Sequence, residues 1–300
     1  LHSRNKHRSR YDFEQLIASN QELGKFVKPN KYGDLSINFF DPHAVKALNR
    51  SLLMHFYKLD YWDIPQDYLC PPVPGRADYI HHIADLLFKK EPNNNIHCLD
   101  IGIGANCIYP IIGIEEYAWH FVGTDIDPLA IESCKKIKAM NKNISDHLEL
   151  RVQQHQGAIL QGIVKPADRF DIVICNPPFH ASAKEARAAA RKKLNNLKGK
   201  NVKQVRLNFA GQENELSYPG GEWQFIKTMI KESESFASQA LWFSSLVSKK
   251  ENLQQVIHFL KDQDVQDVQT IKMHQGNKSS RILAWTFQDP DLQRKWFDDK

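Results

Sequence analysis

The 300-residue sequence has no apolar run approaching the ~20 residues needed to cross a bilayer, so a membrane-spanning protein is not expected. Cysteine is scarce and scattered: Cys70, Cys98, Cys107, Cys134 and Cys175 are odd in number and include no Cys-x-x-Cys pair. That spacing argues against a disulfide framework and a structural zinc, and it points to buried reduced thiols in a cytoplasmic protein with no metal. No leader with a charged start and an apolar centre is visible, and the opening Leu in place of Met reads as a trimmed start. Composition excludes disorder as the default, since 42% of residues are hydrophobic and 25% charged. The length suffices for one large core or two domains.

Acidic residues are missing in two places. Residues 1–10 carry Arg4, Lys6, Arg8 and Arg10 with no acid, and residues 181–206 set nine Lys and Arg, from Lys184 to Arg206, against Glu185 alone. The global balance of 40 basic to 35 acidic residues is mild, so the clustering is what matters. Either segment reads as a solvated arm or helix, or as a foothold on a phosphate backbone.

The pattern along the chain changes near Glu91. Before it, helical stretches at Asp12–Ser19, Pro42–Tyr57 and Ala77–Phe88 surround a proline-rich segment, Cys70–Arg76, expected to be an extended connector. Asp41 followed by Pro42 is a helix start. After it, strands and helices alternate, with strands expected at Ile96–Ile101, Trp119–Thr124, Leu148–Gln153, Phe170–Cys175, Ala240–Val247 and two near the end, Thr270–Met273 and Arg281–Phe287. The fold class expected is α/β: a doubly wound, mostly parallel, seven-stranded Rossmann-like sheet of the class I S-adenosylmethionine (SAM)-dependent methyltransferase type. Residues 1–91 are expected to form an N-terminal, mainly helical accessory region whose basic start suits nucleic-acid binding. Residues 92–300 form the sheet domain, with a basic insertion at 181–222.

The strand Phe170–Cys175 ends in Asn176-Pro177-Pro178-Phe179, where two prolines stop it at once. The C-terminal edge of a parallel strand is where open α/β sheets bind ligands. There the Asn176 side-chain oxygen and the Pro177 carbonyl can accept hydrogen bonds from a planar NH2 group, Pro178 completes the turn, and the Phe179 ring can stack on a base. These four are the candidate catalytic residues.

The first strand of the sheet domain runs into Asp100-Ile101-Gly102-Ile103-Gly104-Ala105-Asn106. A dinucleotide site would want a third glycine at the position of Cys107, beneath the pyrophosphate, and it is absent. SAM has no phosphate to cradle, and its sulfonium tolerates neighbouring carboxylates. The expected cofactor is therefore SAM, with Asp100, Gly102, Gly104, Asn106 and Asn176 around it and Asp125, at the tip of the second strand, on the ribose.

The residues Asn5-Lys6-His7-Arg8, Leu35-Ser36-Ile37-Asn38-Phe39, Asp41-Pro42, Val73-Pro74-Gly75-Arg76, the run Asp100 to Pro110 and Cys175 to Phe179 together resemble the RlmF family of bacterial 23S ribosomal RNA adenine-N6 methyltransferases. That family is related to the eukaryotic enzyme that methylates adenine in a spliceosomal RNA. The resemblance spans nearly the whole chain. It implies N6-methylation of one adenine, adenine 1618 in the ribosomal RNA numbering. It also implies Arg76 as a further cofactor-site residue, with 23S ribosomal RNA or a ribosome assembly intermediate as partner and a monomeric state. Gly157 and Ala158 correspond loosely to cofactor contacts. A protein-glutamine methyltransferase, a DNA adenine methyltransferase and an RNA-binding protein with an inactive fold are the other readings.

Overall fold

A computed structural model describes residues 1–88, 95–155, 157–182, 184, 185, 188, 212–275 and 278–298. Most of the basic segment 181–206 lies outside the described residues. The strands are β1 (Lys28–Pro29), β2 (Leu35–Ser36), β3 (His97–Ile101), β4 (His120–Asp125), β5 (Leu148–Val152), β6 (Phe170–Cys175), β7 (Ala240–Val247), β8 (Asp267–Gln275) and β9 (Lys278–Thr286). The helices are α1 (Phe13–Ser19), α2 (Pro42–Tyr57), α3 (Val73–Leu87), α4 (Ile108–Tyr117), α5 (Pro128–Met140), α6 (Lys142–Ser145), α7 (Glu213–Leu216), α8 (Gly221–Glu234), α9 (Lys250–Leu260) and α10 (Pro290–Lys295).

Strand β1 pairs with β2 in a small hairpin, and the other seven form one sheet in the order β5-β4-β3-β6-β7-β9-β8, with β9 alone antiparallel to its neighbours. The expected seven-stranded, mostly parallel class I sheet is what the chain forms. Alternation of side chains sorts two cores. Cys98, Ile172 and Ile174 face α2 to α5, whereas Leu99, Ile101, Val173 and Cys175 face α8 and α9. Strands β6 and β7 are buried along their whole length, as a central parallel strand covered on both faces must be. The first core also takes in Leu16, Leu48, Leu52 and Ile80, so residues 1–91 share their apolar interior with the sheet domain.

One boundary differs from the sequence expectation in a way that matters. The proline-rich stretch is not extended throughout: α3 begins at Val73, with Pro72 at the N-cap and Pro74 in the first turn. Proline has no N–H to waste in a first turn, and its fixed φ suits the helix start. Arg76 is thereby placed on a rigid helix pointing at the sheet. The short hairpin β1–β2 and the C-terminal helix α10 were not expected. Just past α10, Trp296 donates its indole N–H to Asp171 Oδ1 (2.7 Å), whose Oδ2 accepts from the His97 backbone N–H (2.7 Å). Arg169 lies over the Trp296 ring at 4.2 Å.

Candidate cofactor and base site

Strand β3 crosses over to β4 on one side and is flanked by β6 on the other, so the sheet's switch point falls between Gly102 and Asn176, which emerge from neighbouring strands. A cavity of about 1100 Å³ opens there. Ordinary small-ligand sites run to ~1,000 Å³, so this one has room for a nucleoside cofactor and a base together.

Its floor is the glycine turn. Gly102 (φ +74°) and Gly104 (φ +62°) are both left-handed, and no atom lies within 4 Å of a Cβ built on Gly102. A side chain at Gly102 would be strained and would take up space that the turn leaves open. Asn106 lines the cavity while its Oδ1 accepts from the Ile108 N–H (3.1 Å), fixing the entry to α4. Cys107 is left-handed at φ 56° where a dinucleotide fingerprint would carry its third glycine.

Asp125 stands at the tip of β4. Its Oδ2 accepts from the Gly104 N–H (2.9 Å) and its Oδ1 from the Asp127 N–H (3.0 Å). Each oxygen keeps a lone pair, so the carboxylate can still receive a pair of ribose hydroxyls. Burial raises its pKa, against the pull of those backbone donors. Asp100 does not line the cavity. It is fully buried at the end of β3, and neither carboxylate oxygen has a hydrogen-bond partner among the described residues. Burial, reinforced by Asp125 and opposed by Arg76, pushes its pKa up to about 8. These features fit SAM: an open glycine turn, a diol acceptor, and an orphaned acid below the turn that a cation would favour in its charged form.

The Asn176-Pro177-Pro178-Phe179 turn is held from the N-terminal region. With its amide oriented by its hydrogen-bond surroundings, Asn176 presents its oxygen to Arg76, accepting from Nη1 at 3.3 Å and Nη2 at 3.1 Å. The same Nη1 donates to Tyr109 Oη (3.1 Å), and the guanidinium lies 5.6 Å from that ring's centre. One turn further along α3, Tyr79 Oη meets the Cys175 N–H at 3.4 Å and Ser244 Oγ at 3.0 Å, tying the end of β6 to β7. Asn176 and Pro178 line the cavity, whereas Pro177 is buried and Phe179 half-buried outside the lining.

Several residues at the site carried no sequence signal. Glu215, on α7, accepts from the Leu69 N–H (3.1 Å) and the Gln212 N–H (2.8 Å), bridging the two segments across the cavity mouth. Burial, with Asp125 and Asp127 nearby, lifts its pKa to about 6 against those two backbone donors. Tyr68 donates to Asp127 Oδ2 at 2.5 Å from the same loop. Backbone bonds join His180 to Leu216 (3.1 Å) and Tyr218 to His180 (3.0 Å), so His180 anchors the strap that carries Glu215. Gly157 and Ala158 do line the cavity. The loop that follows them is fixed by Glu232, whose carboxylate accepts from the N–H groups of Ile159, Leu160 and Gln161. Periodicity finds none of these, because all lie in turns or act across long sequence separations.

The chain matches a family model described as RNA methyltransferase over residues 1–289. It is 53% identical to the ribosomal RNA large subunit methyltransferase F of Cytophaga hutchinsonii, across 99% of this chain and 94% of that one. It is 50% identical to the protein of the same name from Bacteroides fragilis, across 96% of this chain and 98% of that one. Among solved structures, the human METTL16 catalytic domain in complex with a MAT2A 3'UTR hairpin superposes with a TM-score of 0.81 at 31% identity, covering 97% of this chain and 96% of that one. The N-terminal domain of human METTL16 in complex with SAH gives 0.77 at 29% identity, covering 96% of this chain and 99% of that one. The family model spans residues 1–289 and the named relatives are about half identical over nearly their whole length, so the chain belongs to this family of RNA methyltransferases.

Proposed function

We propose that this chain transfers the methyl group of SAM to the exocyclic N6 amine of one specific adenine in 23S ribosomal RNA, acting in the cytoplasm on the RNA or on a ribosome assembly intermediate. The observation that carries this reading is the Asn176 amide at the edge of the cavity, locked by a guanidinium from outside the sheet. The names of the relatives support the RNA class, and the neighbour solved with SAH supports the cofactor.

SAM, when bound, supplies an electrophilic methyl. Gly102, Gly104 and Asn106 would flank it, Asp125 would take its ribose hydroxyls, and Arg76 would meet its carboxylate end. An adenine amine is a poor nucleophile because its lone pair is delocalised into the ring. Hydrogen bonds from its NH2 to the Asn176 oxygen and the Pro177 carbonyl draw the nitrogen toward tetrahedral geometry and free that lone pair. Arg76 already places two N–H groups on that oxygen, so the amine takes the place of one of them as it binds. Positioning of this kind can supply about 7–11 kcal/mol without a strong base. The adenine has to leave its stack to reach the turn, and Phe179 offers a ring against it. Tyr32, with Lys31 over its ring, and Phe39 and Phe40 are exposed aromatics on the N-terminal region, each a ring on which an unpaired base can stack.

Incubation with methyl-labelled SAM and separated RNA, DNA and protein fractions tests the reading. Label recovered as N6-methyladenosine from 23S ribosomal RNA is the expected result. Label on protein glutamine or on DNA, with none on RNA, would overturn it.

A further inference from the structure

Residues 1–10 are not a free basic tail. Asn5 and His7 are 4% and 6% exposed, inside the fold. Arg4 pairs with Asp85 (2.6 Å), Lys6 with Glu116 (2.9 Å) and Arg10 with Asp34 (3.0 Å), so three of the four basic side chains are already matched within the protein. The fourth, Arg8, donates to the Ser3 carbonyl. A buried amide and a buried imidazole can contact neither phosphate nor base, which leaves the Asn5-Lys6-His7 motif needing another role.

The bonds of Asn5 give that role. Its Nδ2 donates to the Pro74 carbonyl (2.9 Å) and to Asp78 Oδ1 (2.9 Å), while its Oδ1 accepts from the His7 N–H (2.9 Å). Pro74 and Asp78 sit two residues either side of Arg76, on the first turns of α3. The segment is itself held from behind, by His7 Nε2 to Tyr57 Oη (2.9 Å) and by the His2 N–H to Asp78 Oδ1 (2.6 Å). The α3 N-terminus has no side-chain cap from Pro72, and Asn5, which donates, caps none of its N–H groups; it ties that end down through the Pro74 carbonyl and the Asp78 carboxylate instead.

We infer that Asn5 is a positioning residue for the methyl-transfer site: it fixes the first turn of α3 so that Arg76 reaches Asn176 and Tyr109. The inference rests on the role given above to Arg76. Asn5 acts through Arg76 and does not touch the RNA.

A double-mutant cycle tests this, with SAM affinity, turnover and RNA affinity measured on the full chain well below each variant's unfolding midpoint. Asn5→Ala is expected to weaken SAM binding and turnover roughly tenfold, below the hundredfold that an ångström-scale misplacement can cost, and to leave RNA affinity unchanged. In an Arg76→Ala background the same change should have no further effect on SAM or turnover. Asp78→Ala, which removes the acceptor of both the Asn5 amide and the His2 N–H, should lose at least as much SAM affinity and turnover as Asn5→Ala, while Asp78→Asn, which keeps an acceptor oxygen, should stay near wild type. Should Asn5→Ala prove too unstable to assay, the Asp78 pair carries the test. Full additivity with Arg76→Ala would overturn the inference, as would a loss of RNA affinity with SAM binding intact. An Arg76→Ala protein that binds SAM and turns over normally would instead show that the reading of Arg76 itself had failed.

Discussion

The Arg76 guanidinium, on the first turn of α3, donates to the Asn176 amide oxygen at 3.1 and 3.3 Å, so a helix from outside the sheet domain sets the conformation of the reactive turn. The fork of a guanidinium matters here because Nη1 also serves Tyr109. A lysine would keep the charge and lose the second contact. Arg76→Lys is expected to lower turnover about tenfold to hundredfold, the range for one charge-assisted hydrogen bond of ~1.5–3 kcal/mol. Steady-state kinetics on the variant check this, and a wild-type rate would remove Arg76 from the site.

Asp125 meets two backbone N–H groups and keeps acceptor capacity for two hydroxyls. Asp125→Asn replaces one acceptor by a donor, which then faces a backbone N–H or the ribose. SAM affinity should fall by about tenfold to hundredfold. Titration calorimetry measures it, and an unchanged dissociation constant would contradict the assignment of the β4 tip.

The pKa of Asp100, pushed up to about 8 by burial, bears on stability. Its unfolded value is near 3.9. The folded state therefore binds the proton more tightly, and the contribution is present at low pH and lost as pH rises from about 4 through about 8. Asp100→Asn should be more stable than wild type at neutral pH, with the difference vanishing below pH ~4. Urea unfolding across that range decides it; a wild-type chain that gains stability relative to Asp100→Asn as pH rises would reverse the sign.

Asp171 joins the C-terminal segment to the sheet through Trp296 and the His97 N–H. Asp171→Ala strands a buried indole N–H and a partly buried backbone N–H and should cost about 2–4 kcal/mol, whereas Trp296→Phe leaves the His97 bond in place and should cost less. Chemical denaturation of both variants checks the order of the two effects.

Much of the sheet was legible because its central strands, buried on both faces, are short continuous apolar runs: Phe170–Cys175 and Ala240–Val247 fall where those runs place them. Asp125 and the glycine turn were legible from spacing. The α3 start was not, since Cys70–Arg76 has the composition of a connector and only the tolerance of proline in a first turn makes it helical. Glu215 and Asn5 were invisible as site residues because their partners, Leu69 in one case and Pro74 and Asp78 in the other, lie far off in sequence. The pairing of residues 1–10 was not legible either, because the acids that match their basic side chains, Asp34, Asp85 and Glu116, come from elsewhere in the fold.

On the proposed mechanism Asn176 acts on the adenine amine in the transition state and contributes little to holding SAM. Single-turnover methyl transfer to a 23S-derived RNA fragment, with SAM and enzyme saturating, measures that directly for Asn176→Ala. The SAM dissociation constant should stay within about threefold of wild type and the rate constant should fall by at least about a hundredfold. A near-normal rate constant, or a loss confined to SAM affinity, would contradict it.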